Sequence, residues 1–229
     1  MTTQVQHKKT GLWLPENSGS ENAIREAYFL KDYGGLPPKV SFEGKVLMDC
    51  GAHIGAFSAR AILEGAKFCH CYEPMPPSAE SIDLNLPEDS HKTTVAALSV
   101  EEGSTEFHFR EDRLISGSLI HKGANHKRWN YTTVPVKILS FAEELEKVKP
   151  DIIKMDVEGT EWDILTDPLP DHVETLFIEV HKLYAKGAQA GYDFIESVFP
   201  GSKRLHSEEM MAFKAKGKVT ELTAVYTRV

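Results

Sequence analysis

The stretch "VLMDCGAHIGAFSA", residues 46–59, combines a short apolar run, two glycines and a helical pattern. Residues 45–50 are predicted to form a buried strand, and a helix is predicted from about Ala56 to Glu64. Between them, Gly51 and Gly55 supply a loop, and a glycine directly after a buried strand lets the backbone turn tightly and approach a ligand. The stretch therefore predicts a strand–loop–helix unit with a ligand at its loop.

The same alternation of strands and helices continues along the chain, which implies a parallel α/β sheet. We predict a doubly wound, mostly parallel, seven-stranded Rossmann-like sheet. The last two strands, near residues 209–215 and 222–228, are predicted to form an antiparallel hairpin at one edge. Residues 100–138 are predicted to be a β-hairpin-bearing insertion after the third strand. The other predicted strands cover residues 67–73, 92–99, 151–157 and 173–180, and the other helices 76–86, 140–148, 159–165 and 187–198.

The 229 residues are expected to form a single domain. Residues 1–40 are predicted to be an N-terminal arm and helix, and residues 41–229 the core with its insertion. Ser18 and Glu21 fit a capping box, which predicts a helix over residues 19–32.

Composition limits the possible partners. The net charge of −8 argues against a general attraction to nucleic acid or to an anionic membrane. No run of eighteen apolar residues predicts a membrane-spanning helix, and the polar N-terminus does not resemble a secretory signal. The three cysteines, without a C-x-x-C pair, are interpreted as reduced thiols. We therefore expect a cytoplasmic protein.

An acidic residue supports a ligand at the glycine loop. Glu73 ends the second predicted strand, 22 positions after Gly51, and an acid there can accept both hydroxyls of an adenosine ribose. Ligands of such sheets bind outside the carboxyl ends of the strands. The alternative is an ordinary turn with a solvated Glu73. The G-x-x-x-G spacing departs from the G-x-G-x-x-G of dinucleotide-binding loops.

Together, Asp49, Gly51, Gly55 and Glu73 resemble motif I and the acidic second-strand residue of class I S-adenosylmethionine-dependent methyltransferases. The resemblance implies that these four residues bind S-adenosyl-L-methionine. It also places His53 near the methionine half of the cofactor or the substrate, although a solvated loop histidine is an equal alternative.

A second stretch, "KMDVEGTEWDIL" at residues 154–165, resembles the signature of FkbM-type methyltransferases. The resemblance runs from about Val46 to His181 and includes "VAALS", "SGSL" and "IEVH"; Ala97 within "VAALS" is counted with the cofactor-binding residues. It implies a methyltransferase sheet and O-methylation of a hydroxyl on a sugar, nucleotide-linked or natural-product-type small molecule.

The charges of this stretch recur at every second position. On a strand, Lys154, Asp156 and Glu158 would share one face. Burying such a charge costs several kcal/mol unless it is paired, and Lys154 and Asp156 can pair. Glu158 and Glu161 fall at the start of the next helix, whose dipole favours carboxylates. The alternatives are a purely structural ion pair and a Glu161 that only caps the helix.

The acceptor alcohol needs a base or a hydrogen-bond relay. Asp156, Glu158, Glu161 and His181 are the candidates, and Glu179 is predicted to share a face with His181. Lys154 is counted with the catalytic residues because it would hold Asp156 ionised and oriented. Asp156 is also counted with the cofactor-binding residues, since it lies beside the predicted cofactor loop. No metal ligand is assigned, although hard oxygen ligands clustered in this way could hold a divalent cation. An NAD-dependent oxidoreductase and a catalytically inactive cofactor-binding protein are the alternatives. A nucleic-acid methyltransferase is disfavoured because no N-P-P-Y-type site is present, and the oligomeric state is left open.

Overall fold

The structure is a computed structural model, and it describes residues 3–16, 18, 20, 24, 40–110, 113–118, 131–211 and 219–228. Within these residues the strands are β1 (Gln4–Gln6), β2 (Trp13–Pro15), β3 (Val46–Cys50), β4 (Phe68–Tyr72), β5 (His91–Thr94), β6 (Ala97–Ser99), β7 (Gly103–Arg110), β8 (Arg113–Ser118), β9 (Tyr131–Ser140), β10 (Ile152–Met155), β11 (Thr175–Val180), β12 (Ser202–Met211) and β13 (Val219–Arg228). The α-helices there are α1 (Ala56–Leu63), α2 (Pro76–Asn85), α3 (Phe141–Val148), α4 (Glu161–Ile164) and α5 (Ala188–Val198).

The main sheet has seven strands in the order β12-β13-β11-β10-β3-β4-β5. The five strands from β11 to β5 are mutually parallel, and β13 runs antiparallel to β11 and to β12. The predicted α/β fold with a large, mostly parallel sheet is therefore confirmed. The strands β3, β4, β10 and β11 all end at one edge, where ligands of such sheets bind.

Helices cover both faces of this sheet because its central strands are apolar on both sides. On one face, α1 and α2 pack through Phe57 and Ile82 against Leu47 of β3. On the other, α3 and α5 pack with Ile153 of β10 in a second cluster. None of the α-helices in the described residues is both long and apolar enough to cross a membrane.

Residues 3–16 of the predicted N-terminal arm contain two strands that were not predicted. Strands β1 and β2 form an antiparallel pair that packs on α2. Asn85 fixes this contact, since its Oδ1 accepts from Trp13 N at 2.6 Å and its Nδ2 donates to Trp13 O at 2.9 Å. The predicted helix over residues 19–32 and its capping residue Glu21 lie outside the described residues, apart from positions 20 and 24.

The predicted third strand is divided in two. β5 ends at Thr94, whose carbonyl oxygen accepts a bond from Ala96 N at 2.9 Å, and the chain bends between them. β6 then pairs in parallel with β9, within a second, four-stranded sheet of order β6-β9-β7-β8. One predicted strand thus serves two sheets, which its sequence pattern alone does not reveal. Residues 111–112 and 119–130 of the predicted insertion lie outside the described part.

The strand predicted over residues 209–215 began too late, because β12 starts at Ser202. β12 is the last strand of its sheet, and an edge strand does not need an apolar alternation. Its polar sequence "SKRLHSEE" therefore gives no strand signal. Residues 212–218 lie outside the described part.

Candidate active site

An open cleft lies at the carboxyl edge of the main sheet. It is lined by Gly51, His53, Tyr72, Glu73, Pro74, Ala96, Ala97, Leu98, Phe107, Asp156, Val157, Glu158 and Thr160. The cleft thus brings together residues from both sequence motifs, which stand about a hundred positions apart in the chain.

Gly51 forms the bend between β3 and the cleft. Its φ is +80°, and a Cβ added there would lie 1.8 Å from the carbonyl oxygen of Asp156. The amide nitrogens of Gly51 and Ala52 both donate to Tyr72 O at 3.0 Å. A side chain at position 51 would therefore collide with the end of β10, in addition to any conflict with a ligand.

Two residues of the predicted cofactor set lie beneath the cleft and do not line it. Gly55 begins α1 at φ +72°, and a Cβ there would lie 2.9 Å from the Leu86 side chain. Asp49 is completely buried and accepts a 2.7 Å bond from Ser58 Oγ. Burial raises the pKa of Asp49, and Lys154 acts in the opposite direction. Both residues shape the loop from below.

Glu73 is buried at the end of β4, with 6% of its surface exposed, so the alternative of a solvated Glu73 is wrong. One carboxylate oxygen accepts from His53 N and the other from Met75 N, both at 2.8 Å. Burial raises the pKa of Glu73 to about 7, although the two N–H bonds act against this shift. Ala97 lines the same cleft as this carboxylate.

His53 occupies the loop between β3 and α1 at φ +51°. Its ring is half-buried, and Nε2 lies 3.0 Å from Ser20 Oγ. Burial lowers the pKa of His53 to about 4, with Lys154 contributing in the same direction. The ring is therefore neutral at pH 7 and is held by the N-terminal segment.

Lys154 is 5% exposed, and strand register pairs it with Asp49 on β3. Its Nζ donates to Gly51 O at 2.7 Å and lies 3.4 Å from Asp156 Oδ2 and 3.6 Å from Asp49 Oδ1. Burial alone would lower the pKa of Lys154, but Asp156 and Asp49 more than offset it, so the pKa lies above its usual value. The predicted Lys154–Asp156 pair is present, and Asp49 is a second carboxylate beside the same ammonium group.

The spacing of Glu158 predicted that it would continue the strand, but it does not. β10 ends at Met155, and Glu158 reaches the cleft through a turn at φ +57°, a conformation uncommon for a residue with a side chain. Glu161 stabilises this turn, because its Oε1 accepts from Val157 N at 3.2 Å and from Gly159 N at 3.0 Å. Glu161 is completely buried and does not line the cleft.

His181 follows β11 directly and is 8% exposed. Its Nδ1 lies 2.9 Å from Glu161 Oε1, while its Nε2 lies 3.5 Å from Glu179 Oε1 and 3.9 Å from Glu158 Oε2. Burial lowers the pKa of His181, but Glu161 and Glu179 together raise it by more than burial lowers it. The net pKa is therefore well above its ordinary value. The neighbouring carboxylates thus favour the charged form of the ring.

The apolar wall of the cleft was missed from the sequence. Phe107 comes from β7 of the second sheet, and Ala96 and Leu98 flank the predicted Ala97. The alternation in "STEFHFR" is typical of a strand, and β7 covers it, but no local signal shows that Phe107 lines the cleft.

The comparison with protein families decides the assignment. A family model described as the methyltransferase FkbM domain matches residues 49–217. The chain belongs to the FkbM methyltransferase family. It is an S-adenosylmethionine-dependent methyltransferase, and the oxidoreductase alternative is set aside. The cleft fits this cofactor, because a buried carboxylate, a close backbone approach at Gly51 and apolar walls are the features that an adenosine group needs.

Solved structures show the same fold at low sequence identity. Trm5b from Pyrococcus abyssi is 10% identical with a TM-score of 0.50, and the match covers 99% of this chain and 56% of that one. A candidate S-adenosylmethionine-dependent methyltransferase from Streptococcus mutans is 9% identical with a TM-score of 0.50, covering 98% and 56%. No curated protein matches the sequence.

Proposed function

We propose that this methyltransferase methylates a hydroxyl group on a sugar, a nucleotide-linked compound or a natural-product-type small molecule. The observation that carries the proposal is that Asp156 and Glu158 line the same cleft as Glu73. A hydroxyl must lose its proton during transfer, and carboxylates beside the reacting oxygen serve that need.

The cofactor would occupy the part of the cleft around Glu73. S-adenosylmethionine, when bound, supplies a methyl group on a positively charged sulfur. Glu73 would accept hydrogen bonds from the ribose hydroxyls, and Gly51 would allow close approach of the backbone. Ala97, Leu98 and Phe107 would enclose the adenine. His53, being neutral, would add no positive charge to a site that must accept a sulfonium.

The acceptor would lie at the ends of β10 and β11. The Asp156 side chain is 30% exposed and that of Glu158 is 31% exposed, so both are accessible from the cleft. Lys154 fixes Asp156, which suits it to orient the hydroxyl. Glu158 would accept the proton. Glu161 positions the turn that carries Glu158. His181 is not assigned as the base, because it contacts Glu161 and does not line the cleft.

A small acceptor is preferred over nucleic acid because the chain carries a net charge of −8. The basic and aromatic residues of the insertion, at positions 121–129, lie outside the described residues. The reduced thiols of Cys50, Cys69 and Cys71, all buried, accord with the proposed cytoplasmic location.

The experiment has two stages. Calorimetry with S-adenosylhomocysteine tests the cofactor site, and methyl transfer from labelled S-adenosylmethionine is then measured on panels of free sugars, nucleotide sugars, polyhydroxylated natural products and RNA. We expect label in an alkali-stable ether of a small molecule, and loss of that label in Glu158→Gln with binding of S-adenosylhomocysteine retained. Label in RNA bases, or on nitrogen, would overturn the proposal.

A further inference from the structure

A cluster of three potential ligand atoms lies where β10 and β11 end. Asp156, Glu179 and His181 each contribute one ligand atom, and the three atoms lie within 4.8 Å of one another. Metal–oxygen distances for hard divalent cations are about 2.0–2.6 Å, so one ion between these atoms could bind all three. Two neighbouring parallel strands supply the set, which places it on a rigid part of the fold.

The histidine is already oriented as a metal ligand. Metal-bound histidines usually donate their second ring N–H to a carboxylate or carbonyl, which fixes the tautomer. His181 is buried, and its Nδ1 lies 2.9 Å from the completely buried Glu161. This contact directs Nε2 toward Glu179 and Glu158, at 3.5 Å and 3.9 Å. If Nδ1 carries the proton, the lone pair of Nε2 faces carboxylate oxygens, and a cation on Nε2, either a proton or a metal ion, makes the arrangement favourable.

The charge balance of the cluster points the same way. Four carboxylates surround His181: those of Asp156, Glu158, Glu161 and Glu179. Lys154 and the charged form of His181 are the nearby buried cations, two against four carboxylates, and Lys154 Nζ is already engaged by Gly51 O and Asp49 as well as by Asp156. The second carboxylate oxygen of Glu161, Oε2, is buried without a hydrogen-bond partner among the described residues. The cluster therefore contains more negative charge than its protein cations offset.

We propose that Asp156, Glu179 and His181 bind a divalent cation of the Mn²⁺ or Mg²⁺ type, and that Glu161 is the residue that positions His181. Two carboxylates and one imidazole suit Mn²⁺ in particular, since oxygen ligands favour Mg²⁺ and Mn²⁺ while imidazole favours later metals. Three protein ligands leave coordination positions open on the side of the cleft.

The cation would bind the acceptor oxygen at one of the open positions, a role that rests on the proposed transfer to a hydroxyl. Bound there, the acceptor oxygen becomes more acidic, and its proton passes to Glu158. The oxygen then bonds to the methyl carbon as the carbon–sulfur bond breaks with its electron pair on sulfur, which gives the methyl ether and neutral S-adenosylhomocysteine.

The test measures Mn²⁺ binding to metal-free, full-length protein by electron paramagnetic resonance, without cofactor or acceptor. We expect one Mn²⁺ per chain, and an affinity lowered about ten- to a hundredfold in Glu161→Gln, with a larger loss in Glu179→Gln. Glu174→Gln is the matched control, because Glu174 immediately precedes the opposite end of β11 and is exposed, paired with Lys45 at 2.6 Å. Its Mn²⁺ affinity should equal that of the wild type.

A thermal melt separates the metal site from a purely structural network. Glu179→Gln removes one of the repelling carboxylates, so the metal-free variant should melt at or above the wild-type temperature although it binds Mn²⁺ more weakly. No saturable Mn²⁺ or Mg²⁺ binding at millimolar concentration, or equal affinity in the wild type and Glu179→Gln, would overturn the site. Either result would leave binding of S-adenosylhomocysteine and methyl transfer as separate measurements that can still succeed.

Discussion

The ammonium group of Lys154 donates a 2.7 Å hydrogen bond to the carbonyl oxygen of Gly51. This bond joins β10 to the loop that follows β3, and the same Nζ lies between the carboxylates of Asp49 and Asp156. One buried cation thus connects the proposed cofactor loop with the residue proposed to orient the acceptor.

Replacement of Lys154 should destabilise the protein. Lys154→Met leaves two carboxylates without their cation in a site where Asp49 is completely buried, and breaking a buried ion pair typically costs about 3–5 kcal/mol. Denaturant unfolding should show this loss, and the exposed Lys67→Met should not. The double variant Lys154→Met, Asp49→Asn should recover part of the loss. Wild-type stability in Lys154→Met would contradict the assigned ion pairs.

Asp156→Asn should separate turnover from cofactor binding. The substitution keeps the size of the side chain but removes the charge that Lys154 orients, so we expect the fold to persist and methyl transfer to fall by about tenfold or more. Affinity for S-adenosylhomocysteine should stay within a few-fold, as measured by calorimetry. Asp163→Asn, on the exposed face of α4, is the control. Full activity in both Asp156→Asn and Glu158→Gln would reject the assigned acceptor site.

Gly51→Ala should disturb the protein more than its backbone angle alone requires. Its Cβ would meet Asp156 O at 1.8 Å, whereas Gly44, at φ +71°, has no atom within 4 Å of an added Cβ. Gly44→Ala should therefore lose only the cost of a left-handed alanine, about 1–2 kcal/mol. Unfolding curves give the free energy of unfolding of both variants. Gly44→Ala reports the backbone strain alone, and Gly51→Ala reports the strain together with the collision. A Gly51→Ala variant that is no less stable than Gly44→Ala, and that binds cofactor normally, would contradict the described loop.

Glu73→Gln should weaken S-adenosylhomocysteine binding by about ten- to a hundredfold, since charge-assisted hydrogen bonds contribute about 1.5–3 kcal/mol. Calorimetry gives the affinity, and Glu80→Gln on the exposed face of α2 serves as the control. Glu73 also accepts hydrogen bonds from two backbone N–H groups, so Glu73→Ala would loosen the loop as well. The glutamine variant is therefore the cleaner test. Unchanged affinity would place the adenosine elsewhere.

Binding at Glu73 should release protons near pH 7. The pKa of Glu73 is about 7 before binding, and hydrogen bonds donated by ribose hydroxyls favour the charged form and lower that pKa. About half a proton per site should therefore leave at pH 7, measured by calorimetry in buffers of different ionisation enthalpy. Glu73→Gln should abolish the release, and an identical heat in all buffers for the wild type would refute the ribose contact.

The same group should make the cofactor-free protein less stable as pH rises. The folded pKa of Glu73, about 7, lies above its ordinary 4.5, so the folded state binds more protons than the unfolded state between these values. Stability must then fall with increasing pH across this window and level off above it. The melting temperature of the wild type should drop more from pH 5 to pH 8 than that of Glu73→Gln.

Local features of the fold could be predicted from the sequence. The β3 strand, its glycine turn and α1 follow one another within a few residues, and Glu73 ends the next strand, so their meeting at one sheet edge follows from parallel topology alone. The bounds of α2 and α3 were predicted to within about two residues, because the pattern of apolar and polar residues that predicts a helix is local.

Contacts through backbone atoms and turns could not be predicted. The sequence shows that Lys154 can pair with Asp156, but the carbonyl of Gly51 that accepts its shortest bond leaves no mark in the sequence. The alternation that ends in Glu158 predicts a strand. In the structure the chain turns at Gly159, and Glu158 itself has a left-handed backbone conformation. The Glu161–His181 contact joins the first residue of α4 to the residue that follows β11, and the distance between them depends on how the two strands pair in the sheet.

The two N–H bonds that hold Glu73 have a consequence for the catalytic cycle. Because the carboxylate is immobilised when the chain folds, no rotamer freedom is left to lose when a ribose arrives, and association at this end of the cleft is not opposed by ordering. The adenosine is the same in S-adenosylmethionine and in S-adenosylhomocysteine, so this part of the product is held as firmly as the same part of the donor. Strong product inhibition, with release of S-adenosylhomocysteine limiting the steady-state rate, is the expected kinetic signature.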